Sequence, residues 1–306
     1  MTRTTLNKSL NADLALRWRQ RPAWYTLNIL EQLRPGQPGC PLVALKPRSI
    51  AYPSDHTTAV CSPSRVWSNL FWLSLDADAL RSTLGGLRVF EVGCGDGRYV
   101  EFYERAFGAL ESYCGIDPRP RDRWKEAKPG CSFIQATAEQ LGPEMLGDSN
   151  LIVSQSAIEH IPDDVGLFQT IGHWAASEVR PIVQCHVLPG SSMWRQYGPH
   201  GFSGYSGRAL RQLIAAVPEA SAALCLLGGQ KSQQVHHRFI CDMRVGSRHD
   251  RRAAETPAYT EALLAAIDQD LHRPPQSLGQ ACFLALVLVH NSPLQAVELV
   301  PRQTAE

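Results

Sequence analysis

The 306-residue chain has no long apolar run, no CxxC pair, no internal repeat and almost no net charge. Each absence removes a class of protein. No stretch approaches the roughly 20 apolar residues that a bilayer-crossing helix needs, so no membrane span is expected. Thirty Lys and Arg stand against 29 Asp and Glu. Without an excess of basic charge, no grip on a phosphate backbone and no nucleic-acid partner is expected. The nine cysteines are scattered and odd in number. That pattern argues against a disulfide framework or a cysteine zinc cluster and points to a reducing cytoplasm. Cys114, Cys131 and Cys282 lie in apolar runs and read as small core filler. The N-terminus lacks the uninterrupted apolar core of a secretory signal. It is instead basic, with Arg3, Lys8, Arg17, Arg19 and Arg21 against Asp13. A solvated basic helix face is the first reading, with an organelle transit peptide as the lesser one.

What is present is a rhythm. Residues 1 to about 35 read as one or two helices, interrupted near Pro22 and closed by Pro35-Gly36. A loop rich in proline and serine follows, over residues 36–64, and loops of that length are often lids or binding segments. Val66, Trp67, Leu70 and Phe71 then recur at helical spacing, with Ser64 as the expected N-cap. From Leu87 onward, short apolar runs alternate with helical patterns. Strands are expected at 87–92, 112–116, 132–135, 151–154, 181–186, 222–227 and 282–290. Strand and helix in repetition imply an α/β fold, a doubly wound, mostly parallel sheet covered on both faces. The run ACFLALVLVH is apolar on both alternating sides, as a strand buried on both faces should be. Thr256 as N-cap, Pro257 at the first helical position and the stripe Tyr259, Leu263, Ile267, Leu271 predict a helix within an insertion near 229–280. The expected division is a helical extension and lid loop over 1–80 and a sheet domain over 81–306.

The stretch VFEVGCGDG ends the first of these strands and opens a helix marked by Val100, Tyr103 and Phe107. Gly93, Gly95 and Gly97 allow unusual torsion angles and close approach of a ligand to the backbone. The helix start adds exposed N–H groups. Asp117 ends the next strand, where an acid can accept from both hydroxyls of a ribose. A dinucleotide fingerprint needs a third glycine three residues after the second. That position, counted from Gly95, is Arg98, whose bulk argues against passage of a pyrophosphate.

The spacing E-x-G-x-G-x-G from Glu91 to Gly97 resembles the first motif of the class I S-adenosylmethionine-dependent methyltransferases. YCGIDP resembles their second-strand acid, FIQATAEQL their third-strand segment, and LIVSQSAIEHIPDD their fourth-strand segment with its Glu-His pair. The matches come in family order across residues 87–164. The resemblance implies a Rossmann-like sheet of seven strands with the last antiparallel, and S-adenosylmethionine as cofactor. It implies that Gly93, Cys94 and Gly95 pack against the methionine and ribose portions. Glu91 would support the loop or the cofactor's amino group, and Asp117 would hold the ribose hydroxyls. Ala138 and Glu139 would lie beside the adenine, and Ser154, Gln155 and Ser156 at the methionine end. Many members have Asp where this chain has Thr137, so Glu139 or the backbone would replace that contact.

Methyl transfer needs an acceptor held in line with the methyl carbon, about 3 Å away, in a site that excludes water. An alcohol acceptor also needs help to lose its proton, and histidine is the commonest base. His186 and His200 are the first candidates, and His160, in the Glu-His pair, is expected to brace its loop. The adjacent His236-His237 invite a metal reading, but neighbours rarely point the same way and no further ligand stands nearby, so no metal is expected. Trp194, Tyr197, Phe202 and Tyr205 surround His200 and offer flat faces to a sugar or a planar ring. SQSAIEHI, CHVLPGSSMW and HGFSGYS together resemble methyltransferases associated with bacterial surface polysaccharides. That resemblance implies a sugar or glycan hydroxyl as substrate, with Lys46, Arg48, Arg65 and Arg195 near phosphate. Three other readings stay open: O-methylation of a quinone, phenol or natural product, a nicotinamide oxidoreductase, and a non-catalytic partner protein that keeps the fold.

Overall fold

A computed structural model describes residues 10–12, 16–33, 36–46, 61–202, 204–242 and 247–300. The expected lid loop falls partly outside these residues. None of the described helices is long and apolar enough to cross a membrane.

One eight-stranded sheet organises the chain. Its strands are β1 (Leu42–Ala44), β2 (Arg88–Val92), β3 (Ser112–Asp117), β4 (Cys131–Gln135), β5 (Leu151–Gln155), β6 (Ile182–Leu188), β7 (Ser221–Leu227) and β10 (Phe283–His290). A two-residue pair, β8 (Cys241–Asp242) and β9 (Ser247–Arg248), lies apart. The spatial order is β1-β7-β10-β6-β5-β2-β3-β4. All pairings in the large sheet are parallel except those of β10, which runs antiparallel to both β6 and β7. The expected antiparallel last strand is therefore present, but the strand count of seven is corrected to eight. The extra strand, β1, has three residues among prolines and pairs with β7 at the sheet edge. So short a strand has no periodicity of its own to announce it.

The alternation of side chains along β10 divides the core. Phe283, Ala285, Val287 and Val289 join one apolar layer, and Leu284, Leu286 and Leu288 the other. The first layer is closed by helices α2 (Pro63–Ser74), α3 (Ala77–Leu84), α4 (Tyr99–Phe107), α9 (Gln230–Phe239) and α10 (Thr256–His272). Helices α6 (Asp164–Ser177) and α8 (Gly207–Ala215) close the second. Two helix starts differ from expectation. Ser62, not Ser64, caps α2 by accepting from the Arg65 amide at 3.3 Å, because Pro63 takes the first helical position. Glu255 takes the N-cap position of α10, and Thr256 is already helical.

Helix α1 (Gln20–Leu33) carries Pro22 in its first turn, where a missing N–H costs nothing. It forms a third, smaller apolar cluster in which Leu10, Leu16 and Trp24 pack with Trp194 and Tyr197. The N-terminal segment thereby sits on the loop between β6 and α8, beyond the carboxyl end of β6.

Candidate functional site

The glycine loop joins β2 to α4. Its three glycines all have positive φ, at 73°, 57° and 76° for Gly93, Gly95 and Gly97. They do different work. A Cβ on Gly93 would lie 2.4 Å from the Ala157 methyl, and one on Gly97 would lie 2.4 Å from the Phe133 ring. Both are needed for packing. A Cβ on Gly95 would meet nothing within 4 Å. That glycine bares its backbone to open space, which is what close approach of a ligand requires.

Asp117, at the tip of β3, stands beside this opening. Its carboxylate accepts from the Gly95 amide at 3.1 Å and from the Arg119 amide at 2.9 Å. A carboxylate offers about four acceptor positions, so two remain for hydroxyls of a ligand. The Gly95 carbonyl accepts from the Trp124 indole at 2.9 Å, and Trp124 stacks on Phe133 with centroids 5.3 Å apart. Trp124 thus borders the opening, and the sequence reading did not mark it. It lies in a polar, irregular stretch with no periodicity to single it out.

Glu91 is buried behind the loop and accepts from the hydroxyls of Tyr103, at 3.2 Å, and Tyr113. Burial pushes its carboxyl up to about 8, against the lowering effect of the two phenols and of Arg65. It braces the loop from within. Burial likewise raises the Cys94 thiol, and the Cys94 side chain fills the space over Gly115. Thr137 forms a capping box with Gln140, whose side chain accepts from the Thr137 amide at 2.9 Å. Ala138 and Glu139 follow in that tight turn, with Glu139 exposed.

The fourth-strand residues separate. Ser154 is fully buried and bonds to His186 Nδ1 at 2.9 Å. His186 Nε2 lies 3.1 Å from Gln184 Oε1, and Gln184 Nε2 lies 2.7 Å from His290 Nε2. Burial drives the His186 pKa down to about 3, so the ring is neutral, and if Nε2 donates to Gln184 then Nδ1 accepts from the Ser154 hydroxyl. The structure thus places Ser154 and His186 within the second core layer, away from the opening. Gln155 is also buried and accepts from the Trp72 indole at 2.7 Å. Ser156, with φ of 53°, turns the chain out of the strand.

His160 and His200 do meet. Their rings are edge to face at 4.7 Å. Glu159, nearly fully buried, places Oε1 3.8 Å from His160 Nε2. Donor atoms of Glu159, His160 and His200 all lie within 4.8 Å of one another. Local geometry explains the convergence. Ile158–His160 is a tight 3-10 turn, so consecutive side chains need not alternate as in a strand. The Phe202 amide donates to the Glu159 carbonyl at 2.9 Å. Gly201, with φ of 53°, passes so close that a Cβ there would lie 2.7 Å from the same carbonyl. The Gly201 carbonyl accepts from the Trp24 indole at 3.1 Å and from the Ala12 amide at 3.0 Å.

Tyr197 borders the cluster, 5.8 Å from the His200 ring, and its hydroxyl bonds to Ser64. Arg65 and Glu159 both lie near enough for their charges to act on its phenol. Arg65 in turn donates to the Tyr99 hydroxyl at the start of α4, and so links the two halves of the site. The other aromatics expected to offer flat faces are committed elsewhere. Phe202 and Tyr205 are buried, the latter donating to Asp164 at 2.9 Å, and Trp194 donates to Gln32 at 2.9 Å. His236 and His237 diverge: His236 donates to the Gln196 carbonyl at 2.9 Å, while His237 faces the Cys241 carbonyl. A groove of about 740 Å³ between α9 and α10, lined by Gln230, Asp268, His272 and Gln276, contains none of these residues.

Residues 90–175 match a family model described as a methyltransferase domain. No curated protein matches the chain. Among solved structures, the plantazolicin methyltransferase BamL, in complex with a triazolic desmethylPZN analog and SAH, is 14% identical with a TM-score of 0.45. That comparison covers 78% of this chain and 87% of BamL. A complex of the Haloferax volcanii Trm112 methyltransferase activator with a putative methyltransferase gives 11% identity and a TM-score of 0.42, over 76% of this chain and 96% of the other. An S-adenosylmethionine-dependent methyltransferase from Mesorhizobium loti gives 18% identity and 0.37, over 71% and 100%.

Proposed function

This chain carries a methyltransferase domain over residues 90–175, and from that premise we propose that it moves the methyl group of S-adenosylmethionine to a hydroxyl oxygen, with a sugar or glycan as acceptor. The sulfonium donor supplies an activated methyl carbon and a neutral thioether leaving group. The residues present fit it: the bare backbone at Gly95 and the half-used carboxylate of Asp117 form a cradle that a Cβ on Gly95 would fill. Trp124 holds the loop open from outside, and Glu91 with its two phenols holds it from inside.

The observation that carries an oxygen acceptor is the meeting of His160 and His200 beside the buried Glu159. Imidazoles there promote loss of the acceptor's proton. Tyr197, anchored on Ser64, gives one remaining ring against which an acceptor can lie. Leu16, Trp24 and Trp194 cluster with Tyr197, apolar surroundings of the kind that a water-excluding site uses.

The test is transfer of labelled methyl to a panel of free and nucleotide-linked sugars, quinones and phenols. Transfer to sugars supports the reading, and transfer only to a quinone or phenol overturns the substrate class. His200→Ala should lower kcat by about 10²-fold or more, the usual worth of proton transfer by a positioned group. Binding of S-adenosylhomocysteine should be unchanged in that variant, because Gly95 and Asp117 are untouched.

A further inference from the structure

We infer that Glu159, His160 and His200 form a binding site for one first-row divalent cation, such as Zn²⁺ or Mn²⁺, at the acceptor end of the sheet. Its role in activating the acceptor rests on the function proposed above; the ion site itself rests on geometry alone.

Three observations converge on these side chains. Their donor atoms lie within 4.8 Å of one another. The donor types, two imidazoles and a carboxylate, suit zinc, manganese or iron(II) and leave coordination positions open for water or substrate. Ligands at the usual bond lengths around one ion stand about 3 Å apart, so the widest separation in the cluster closes by up to about 2 Å on loading. Second, Glu159 is only 1% exposed. Burial favours pairing of this carboxylate with a cation, and a metal ion held jointly with His160, whose Nε2 lies 3.8 Å from Oε1, would serve as one.

The third observation is the scaffolding. Outer contacts commonly fix the ligands of a metal site in place. Here the Phe202 amide clamps the Glu159 carbonyl, and Gly201 passes within a Cβ's reach of both that carbonyl and His160 Nδ1. The indole of Trp24 holds Gly201 from a helix 177 positions away in sequence. His236 and His237 make a useful contrast. Their rings are 6.3 Å apart at 90°, and His236 is spent on the Gln196 carbonyl. Adjacent histidines on a helix diverge, whereas the tight turn at Ile158–His160 points Glu159 and His160 together.

An ion held here would act on the acceptor as a Lewis acid, so that the imidazoles promote proton loss through the ion they hold rather than by taking the proton themselves. It would draw electron density from the hydroxyl oxygen, whose proton leaves to water. The oxygen's electron pair then forms the new C–O bond as the C–S bond breaks. That bonding pair stays on sulfur, and the products are the methyl ether, S-adenosylhomocysteine and one released proton.

The full chain, stripped with a chelator, is titrated with Zn²⁺ alone and with Mn²⁺ alone by calorimetry. We expect one equivalent of one of these ions to bind. Glu159→Gln and His200→Ala should each weaken it by more than the roughly 10–100-fold typical of outer-contact losses. His237→Ala should bind as the parent does. Binding far below one equivalent, or equal binding by the Glu159→Gln/His200→Ala double variant, overturns the site. X-ray absorption of the zinc-loaded parent needs no variant: scattering from two imidazoles supports the assignment, and sulfur ligation overturns it. S-adenosylhomocysteine is titrated into the same samples. Retention there shows that the variants are folded. Failure of the parent to bind it would remove the donor reading while leaving the ion site standing.

Discussion

The proposed donor half and the proposed acceptor half of the site are built on opposite plans. The donor half is local. Gly95, Asp117 and Trp124 lie within thirty positions of one another and are fixed by side-chain bonds to one residue's backbone, the Asp117 carboxylate accepting from the Gly95 amide and the Trp124 indole donating to the Gly95 carbonyl. The acceptor half is assembled from afar. His160 and His200 stand forty positions apart and meet only because a loop crosses back, held by Trp24 from the N-terminal helix. A site of the first kind depends on what each residue is. A site of the second kind depends on what holds the loop.

The largest effect is therefore expected at the donor side, from changes of identity. Asp117→Ala removes two bonds to a charged acceptor and the support for the loop. At about 1.5–3 kcal/mol per charged bond, S-adenosylhomocysteine affinity should fall by roughly 10²- to 10⁴-fold. Gly95→Leu should do the same by filling the open space and opposing a φ of 57°. If both folded variants bind as the parent does in calorimetry, the donor site is elsewhere.

Next comes the prop of the acceptor side. Trp24→Ala removes a fully buried indole and the bond to the Gly201 carbonyl. We expect KM for the acceptor to rise about tenfold, within the roughly 3–5 kcal/mol that such a truncation costs, with donor affinity unchanged. A matching loss of donor affinity would erase the distinction between the two halves.

A smaller effect separates brace from ligand at Glu91. Its carboxyl is raised by burial to about 8 in the folded chain, against about 4.3 unfolded. Between those values the folded state holds a proton that the unfolded state has lost. Stability from this group is thus present at low pH and declines as pH rises towards 8. Glu91→Gln should flatten the fall of Tm between pH 5 and 8, in thermal melts of parent and variant side by side. Equal slopes would mean that Glu91 is not the group responsible. The smallest change is Thr137→Ala, which loses a capping box and should cost about 1 kcal/mol, read by urea unfolding, with little change in donor affinity. A large loss of affinity would make Thr137 a direct contact.

The motif proposed as the donor side was legible because it is written in short range. Glycines at alternate positions after an apolar run, and an acid at the end of the next, are a local pattern with a local cause. The sheet was legible for the same reason: each long strand carries its own apolar run, and β10 reads as buried on both faces. Other features had no local cause to display. β1 is too short for periodicity. Trp124 stands in a polar stretch. Ser154 and His186 lie in the right strands, yet the second core layer encloses them. Only the packing tells which side of a strand tip faces the opening.

The amino-acid order alone determined the α/β rhythm, the glycine turn and the acid that answers it, since φ freedom, apolar alternation and strand ends are properties of a few neighbouring residues. Which histidines meet, which are sealed in the core, and which of three glycines is bare were decided only in the folded chain. Those outcomes depend on contacts between segments far apart in sequence, and such contacts exist only once the core has brought the segments together.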